Sequence, residues 1–398
     1  VVNLHGHKTL SASAAGDGPR QVNGMGTGVL IDPRGYILTN YHVVEGVSPL
    51  QVTSAEGRTV VARVIAQDPS ADLAVIKIAP DDQLNVIRFG SSHDLMVGEP
   101  VIAMGNAYGD NHSVSRGVIS ALHRDVPVNE TQQYLDLIQT DASINPGNSG
   151  GPLMNIDGEM IGLNVAVRVG AQGIGFAIPV NQALDVAARL IRRHNETTHW
   201  HGVEGRTLIV DGRPVFRVES VEEESPAAAA GVKAGDVVTA VGGKAVHRAV
   251  DFELAMVDRE VGEPLQISLV HDQQARASTM LTAATPERRL SRVNEQAWSI
   301  AGLRLAPISE DEFQRITSRY RGGLRVTAVR PGSPAQKQNI QPGDVLVGMH
   351  VWETRTLENV GYVLTQAEFD RHRPVKCYIL RDDRTHYTYL PVADSVRR

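Results

Sequence analysis

The sequence predicts a mainly β protein, an all-β barrel or sandwich followed by two smaller α+β modules, on three observations. Residues 1 to about 180 break into short Val- and Ile-rich runs separated by turn residues. One helix-periodic stretch then closes that region. Beyond it, one set of landmarks occurs twice at a fixed spacing.

At 398 residues the chain is too long for one ordinary core, which suggests two to three domains. Hydrophobic residues at 42% and charged residues at 21% are globular values, whereas aromatics at 5% leave the cores to Val, Ile, Leu and Ala. The 39 basic and 45 acidic residues give a net charge of −6 with no long single-sign run. That balance argues against nucleic acid as the main partner, because phosphate binding needs a concentrated basic surface. Cys377 is the sole cysteine, so neither an intrachain disulfide nor a Cys-based metal site can form. No metal or other cofactor is expected. No apolar run is long enough to span a membrane. The chain opens on Val1 rather than Met, and the expectation is a processed or trimmed product that has lost a leader or anchor.

In order, Gly26 to Ile31 runs into the turn Asp32-Pro33-Arg34-Gly35 and returns as Tyr36 to Thr39, a hairpin. Val60 to Ile65, Leu73 to Ile78, Pro100 to Met104, Gly117 to Ala121, Met160 to Val167 and Gly175 to Ile178 supply further strands. No Gly-rich strand-to-helix loop has phosphate-cradle spacing, so nucleotide binding gains no support.

The stretch Asn145-Pro146-Gly147-Asn148-Ser149-Gly150-Gly151 reads as a serine nucleophile on a tight loop. Its glycines let main-chain N–H groups converge where an oxyanion can sit, with Gly147, Asn148 and Ser149 as candidate donors. Alone, such a string is more often a plain turn. His42 and Asp72 lie at strand ends, where each is unremarkable by itself. The order His42, Asp72, Ser149 is that of the chymotrypsin-type triad, and each member falls in a loop that a double β-barrel can gather into one cleft. A neutral imidazole takes the serine proton, and a carboxylate holds its tautomer and stabilises the imidazolium.

Thr39-Asn40-Tyr41-His42-Val43-Val44, Asp68 through Ile78, and Thr140-Asp141-Ala142 through Pro152-Leu153 together resemble the HtrA (Deg) family of DegP-like periplasmic, trypsin-like serine endoproteases with PDZ domains. Gly173 to Pro179 resembles the family's strand after its specificity loop, while Tyr41 and Ser143 depart from the family's common Asn and Ala. The resemblance implies a chymotrypsin-like double β-barrel, with His42 as base, Asp72 as orienter and Ser149 as nucleophile. It also implies trimers or larger assemblies and a periplasmic or cell-envelope location. Ser143, near the expected base of the primary pocket, brings no carboxylate, so cleavage after aliphatic rather than basic residues is expected. Arg168 to Gln172 is expected to form a mobile facing loop.

Val180 to Ile191 has helical spacing and ends in Arg192-Arg193-His194, where cations suit a helix C-terminus. It closes a first domain over 1–195. In the second half, Ser225-Pro226-Ala227 matches Ser333-Pro334-Ala335 and Gly235-Asp236 matches Gly343-Asp344, both at an offset of 333 − 225 = 108. The two copies, over 199–285 and 296–394, resemble PDZ domains. Their candidate carboxylate-binding residues are His201, Gly202 and Val203, then Ala301, Gly302 and Leu303, ahead of groove helices at Phe252 to Val257 and Val360 to Leu364. The extra segment Ser309 to Arg321 is expected to cover or reshape the second groove.

The expectation is an ATP-independent endoprotease that cleaves unfolded or misfolded proteins and captures peptide C-termini on its PDZ-like modules. The competing readings are a chaperone or scaffold in which cleavage is incidental, and a small-ester hydrolase that leaves the peptide-binding modules idle.

Overall fold

The computed structural model describes the chain except residues 11–19, 80–83, 107–112, 128–132, 166–172, 197–198, 273, 285–286, 318, 321, 350–351, 366–373, 383 and 391–398. It divides into two compact units, residues 1–283 and 284–398.

The first unit begins with β1 (Val2–Leu10), β2 (Arg20–Asp32), β3 (Tyr36–Thr39), a single-turn α1 (Tyr41–Val44), β4 (Gln51–Thr53), β5 (Thr59–Val61), β6 (Arg63–Asp68) and β7 (Leu73–Lys77). These strands form one sheet in the order β5-β4-β1-β2-β3-β7-β6. The Asp32-to-Gly35 turn makes the expected β2–β3 hairpin. β3 and β7 read as unbroken apolar runs because both their faces are covered. Ile37, Ala74 and Ile76 face one core, while Tyr36, Leu38, Leu73 and Val75 face another.

The second sheet comprises β8 (Arg88–Phe89), β9 (Pro100–Gly105), β10 (Ser113–Pro127), β11 (Gln133–Thr140), β12 (Pro152–Met154), β13 (Glu159–Val165) and β14 (Gly175–Pro179). Its order is β12-β9-β10-β11-β14-β13-β8, and β12 also pairs with β13, which closes the sheet into a barrel. The expected helix is α2 (Val180–Asn195), whose apolar stripe packs on β6, β7 and β13.

After β15 (His199–Trp200), the first PDZ-like copy holds β16 (Val203–Val210), β17 (Arg213–Val221), α3 (Pro226–Ala229), β18 (Val237–Val241), β19 (Lys244–Ala245), α4 (Ala249–Met256), β20 (Pro264–His271) and β21 (Gln274–Leu281), its strands in the order β16-β17-β18-β20-β21, and β22 (Ala283–Ala284) pairs with β15. α2 also packs on α4, so one continuous core runs from the first sheet through α2 to Phe216, Phe252 and Leu269. Arg34, in the β2–β3 turn, donates to the Val257 carbonyl at 3.0 Å and the Leu254 carbonyl at 2.5 Å, capping the end of α4.

The second unit holds α5 (Glu287–Ile300), β23 (Leu303–Pro307), α6 (Glu310–Ile316), β24 (Leu324–Val329), α7 (Pro334–Lys337), β25 (Val345–Met349), β26 (Trp352–Glu353), α8 (Leu357–Thr365), β27 (Val375–Arg381) and β28 (Arg384–Leu390). Its sheet order, β23-β24-β25-β27-β28, repeats that of the first copy. The repeated residues do the same work twice. Ser225 and Ser333 cap α3 and α7, accepting from Ala228 N at 3.0 Å and Gln336 N at 3.2 Å. Asp236 and Asp344 accept from Lys233 N at 2.9 Å and Gln341 N at 2.8 Å.

Candidate active site

β3 delivers His42. The strand is fully buried and ends at Thr39, Asn40 precedes α1, and the turn of α1 puts Val43 and Val44 in the core. Burying those two valines rotates the helix so that the His42 side chain is 42% exposed.

Asp72 sits in the β6–β7 turn. That turn is built by Asp68, whose carboxylate accepts from Ser70 N at 3.0 Å, Ser70 Oγ at 2.6 Å and Ala71 N at 3.0 Å. Asp72 itself is left-handed, with φ +52°. Its carbonyl accepts from Asn40 Nδ2 at 2.9 Å and Tyr41 N at 3.1 Å, which pins the turn to the start of α1. Its carboxylate, 1% exposed, accepts from His42 N through Oδ1 at 2.9 Å and lies 2.8 Å from His42 Nδ1 through Oδ2. A buried carboxylate needs such donors to offset lost hydration. In the tautomer whose Nδ1–H donates to Asp72, Nε2 is the ring's acceptor nitrogen.

Ser149 lies beyond a tight turn between β11 and β12. Asn148 N donates to Asn145 O at 2.9 Å and Gly151 N to Asn148 O at 3.0 Å, with Gly147 at φ +103° and Gly150 at φ +81°. The Asn148 N–H is thus engaged inside the turn. β2 holds this loop against the first sheet. Thr27 N donates to Ser149 O at 2.9 Å, and Thr27 Oγ1 to Gly147 O at 2.7 Å. Gly150 abuts Thr27 O, Thr39 Oγ1 and Asn40 N so closely that no Cβ fits. The serine loop therefore rests on the strand that ends three residues before His42. Gly105 likewise leaves room for Asn148 at the end of β9.

Thr27, Asn40, Gly105 and Tyr134 are site-building residues that the sequence reading did not single out. Tyr134 Oη donates to Asp72 Oδ2 at 2.6 Å, and burial together with the Asp72 charge raises its pKa well above the ordinary value. The Ser143 carbonyl accepts from Ser115 Oγ at 2.9 Å, and Ile144 covers Gly175. The facing stretch Arg168 to Gln172 lies outside the described residues.

The six candidate carboxylate-binding residues are all buried. Val203 N donates to His201 Nδ1 at 3.0 Å, and the His201 ring lies edge-on to Phe252 with its Nε2 3.5 Å from Glu253 Oε2. α2 runs alongside: Asn195 Nδ2 donates to Glu253 O at 3.1 Å, and Thr207 Oγ1 to Asp185 Oδ1 at 3.2 Å. In the second copy, Ala301 N and Gly302 N both donate to Ala297 O, at 3.0 and 2.9 Å, as the C-cap of α5. Asn294 of α5 bonds both main-chain groups of Leu305, and Val293 fills the space above Gly361 of α8. The helix that fills the second groove is α5 and not, as expected, the segment Ser309 to Arg321. Phe313 of α6 packs with Val345 and Val347, whereas Leu346 points to the α8 side, so α6 covers the opposite face of the sheet.

Residues 26–163 match the trypsin-like peptidase domain family, and residues 193–280 the PDZ domain family. A probable periplasmic DegP-like serine endoprotease of Halomonas elongata is 32% identical over 93% of this chain and 79% of its own. One from Pseudomonas fluorescens is 30% identical over 96% of this chain and 82% of its own. A solved HtrA-type protease, AlgW with a decapeptide, is 30% identical over 72% of this chain and 95% of its own, at a TM-score of 0.42. The chain belongs to the HtrA family of DegP-like serine endoproteases carrying PDZ domains.

Proposed function

We propose that Ser149 is the nucleophile, His42 its general base and Asp72 the group that orients the base. The observation that supports this best is the two-point grip of Asp72 on His42, through Nδ1 and through the main-chain N–H. Nε2 takes the Ser149 proton as Oγ attacks the scissile carbonyl, and the N–H groups of Gly147 and Ser149 hold the resulting oxyanion. His42 then protonates the leaving amine, and water hydrolyses the acyl-enzyme by the same steps.

The substrates in this reading are unfolded or misfolded proteins, cut after aliphatic residues because the Ser143 stretch offers no carboxylate to a basic side chain. Domains over 1–195, 199–285 and 296–394 divide the work, with α2 serving the first two. Peptide C-termini bind at His201 to Val203 and Ala301 to Leu303 once the helices beside those loops move aside. A periplasmic or cell-envelope site and a trimer or larger assembly complete the proposal; no described helix is long and apolar enough to cross a membrane.

The test compares cleavage of an unfolded, radiolabelled protein by the intact chain and by Ser149→Ala. Cleavage by the first alone supports the triad. If both are inert and both suppress aggregation, the chain is a scaffold whose peptide binding is primary.

A further inference from the structure

We propose that Tyr134 is a positioning residue of the catalytic machinery: its hydroxyl fixes Asp72 and, through it, the base His42. The inference rests on the triad assignment above. Asp72 is almost wholly removed from water. Its Oδ1 is served by the His42 main chain, while Oδ2 must serve the imidazole alone unless a second donor reaches it. Tyr134 is that donor, at 2.6 Å. A carboxylate held by one bond per oxygen can still rock about its Cβ–Cγ axis. A third bond, arriving from another direction, fixes the plane in which Oδ2 meets Nδ1.

The origin of this third donor matters as much as its distance. Asp72 and His42 lie at the ends of strands of the first sheet, whereas Tyr134 is the second residue of β11 in the barrel, the strand that leads into the Ser149 loop. The phenol therefore ties the orienting acid to the barrel that carries the nucleophile. The ring packs against the core that both sheets share, so the hydroxyl is held rather than swinging free. Burial and the Asp72 charge keep the phenol protonated, hence a donor, under any condition in which His42 acts as a base.

The readout is the rate at which a fluorophosphonate labels the full-length protein, with the folded fraction followed by circular dichroism. Ser149→Ala abolishes labelling if the triad assignment holds; labelling that persists overturns that assignment. Tyr134→Phe removes one oxygen and keeps the ring. It should lower the labelling rate roughly three- to tenfold, as expected for one net hydrogen bond, and lower kcat on a peptide with little change in KM. In an Asp72→Ala background the same substitution should have no effect, because the carboxylate through which Tyr134 acts is gone. Three results overturn the proposal while leaving the triad intact. These are an unchanged rate for Tyr134→Phe, an equal loss in both backgrounds, and unfolding of Tyr134→Phe at the assay temperature, which would make the hydroxyl a prop of the fold.

Discussion

The side-chain amide of Asn294 pairs with Leu305 as a neighbouring strand would. Nδ2 donates to the Leu305 carbonyl at 2.9 Å, and Oδ1 accepts its N–H at 2.8 Å. A peptide adding to the edge of β23 would make this same pair of bonds. With the Ala301 and Gly302 N–H groups turned to Ala297, α5 competes for both the edge and the carboxylate loop. Asn294→Ala should therefore open the second groove. A photo-crosslinking peptide with an apolar, free C-terminus should label residues 301–307 more strongly in this variant than in the parent chain, and its amidated form should not. Equal labelling in both proteins would mean that α5 does not compete.

Asp72→Asn separates chemistry from fold. Asparagine tolerates the left-handed backbone at φ +52°, so the turn should survive. Its amide, however, cannot accept from both His42 Nδ1 and Tyr134 Oη while His42 N bonds its other atom. The imidazole is pushed toward the wrong tautomer, for which the chymotrypsin-type precedent is a loss of about 10⁴ in kcat. The check is peptide turnover alongside a melting curve. Near-parental activity in a folded protein would remove Asp72 from the mechanism.

What the sequence made legible was local. Asp68 through Asp72 and Gly147 through Gly151 carry their turn chemistry in consecutive residues, so motif and geometry coincide. The repeat was legible because Ser225 and Asp236 cap and staple their own neighbours, and so must Ser333 and Asp344. Contacts made after folding left no such mark. Tyr134 meets Asp72 across 62 positions and Thr27 meets Gly147 across 120, and nothing in their neighbours announces it. α5 escaped for a related reason: its role depends on packing against β23 and α8, which no local signal encodes. The landmark glycines Gly202 and Gly302 differ by 302 − 202 = 100, against 108 for the serines. That difference records extra chain between the loop and the serine, where α6 lies, and the added helix lands on the face away from the groove.

Gly150 should be the least replaceable glycine of the serine loop. Its φ of +81° and the contacts with Thr27 O and Thr39 Oγ1 leave no place for a methyl group. Gly150→Ala should cost about 2–4 kcal/mol from strain and overpacking combined, with loss of activity as β2 and the loop separate. Gly158 has a similar φ of +72° with nothing within 4 Å, so Gly158→Ala should cost only about 1–2 kcal/mol. Chemical denaturation of both variants decides. Equal costs would show that the close approach at Gly150 is relieved by relaxation.

Acid should loosen the first unit. Burial lowers the pKa of His199, with the nearby His201 adding to the effect, and burial followed by Arg63 lowers that of His194. A histidine with a folded-state pKa below the usual value of about 6.5 binds its proton more readily when unfolded. Its contribution is therefore fully present above pH 6.5 and is lost as the pH falls through that value toward the folded-state pKa. Asp185, whose pKa burial raises, acts with the opposite sign: its buried charge weighs against the fold at neutral pH, a penalty relieved as the pH falls through its raised folded-state pKa. The melting temperature should fall between pH 7 and pH 5, and His199→Gln, which cannot titrate, should flatten that slope. A melting temperature that rises over this interval, or a slope unchanged in the variant, would show that the two histidines do not govern the acid response.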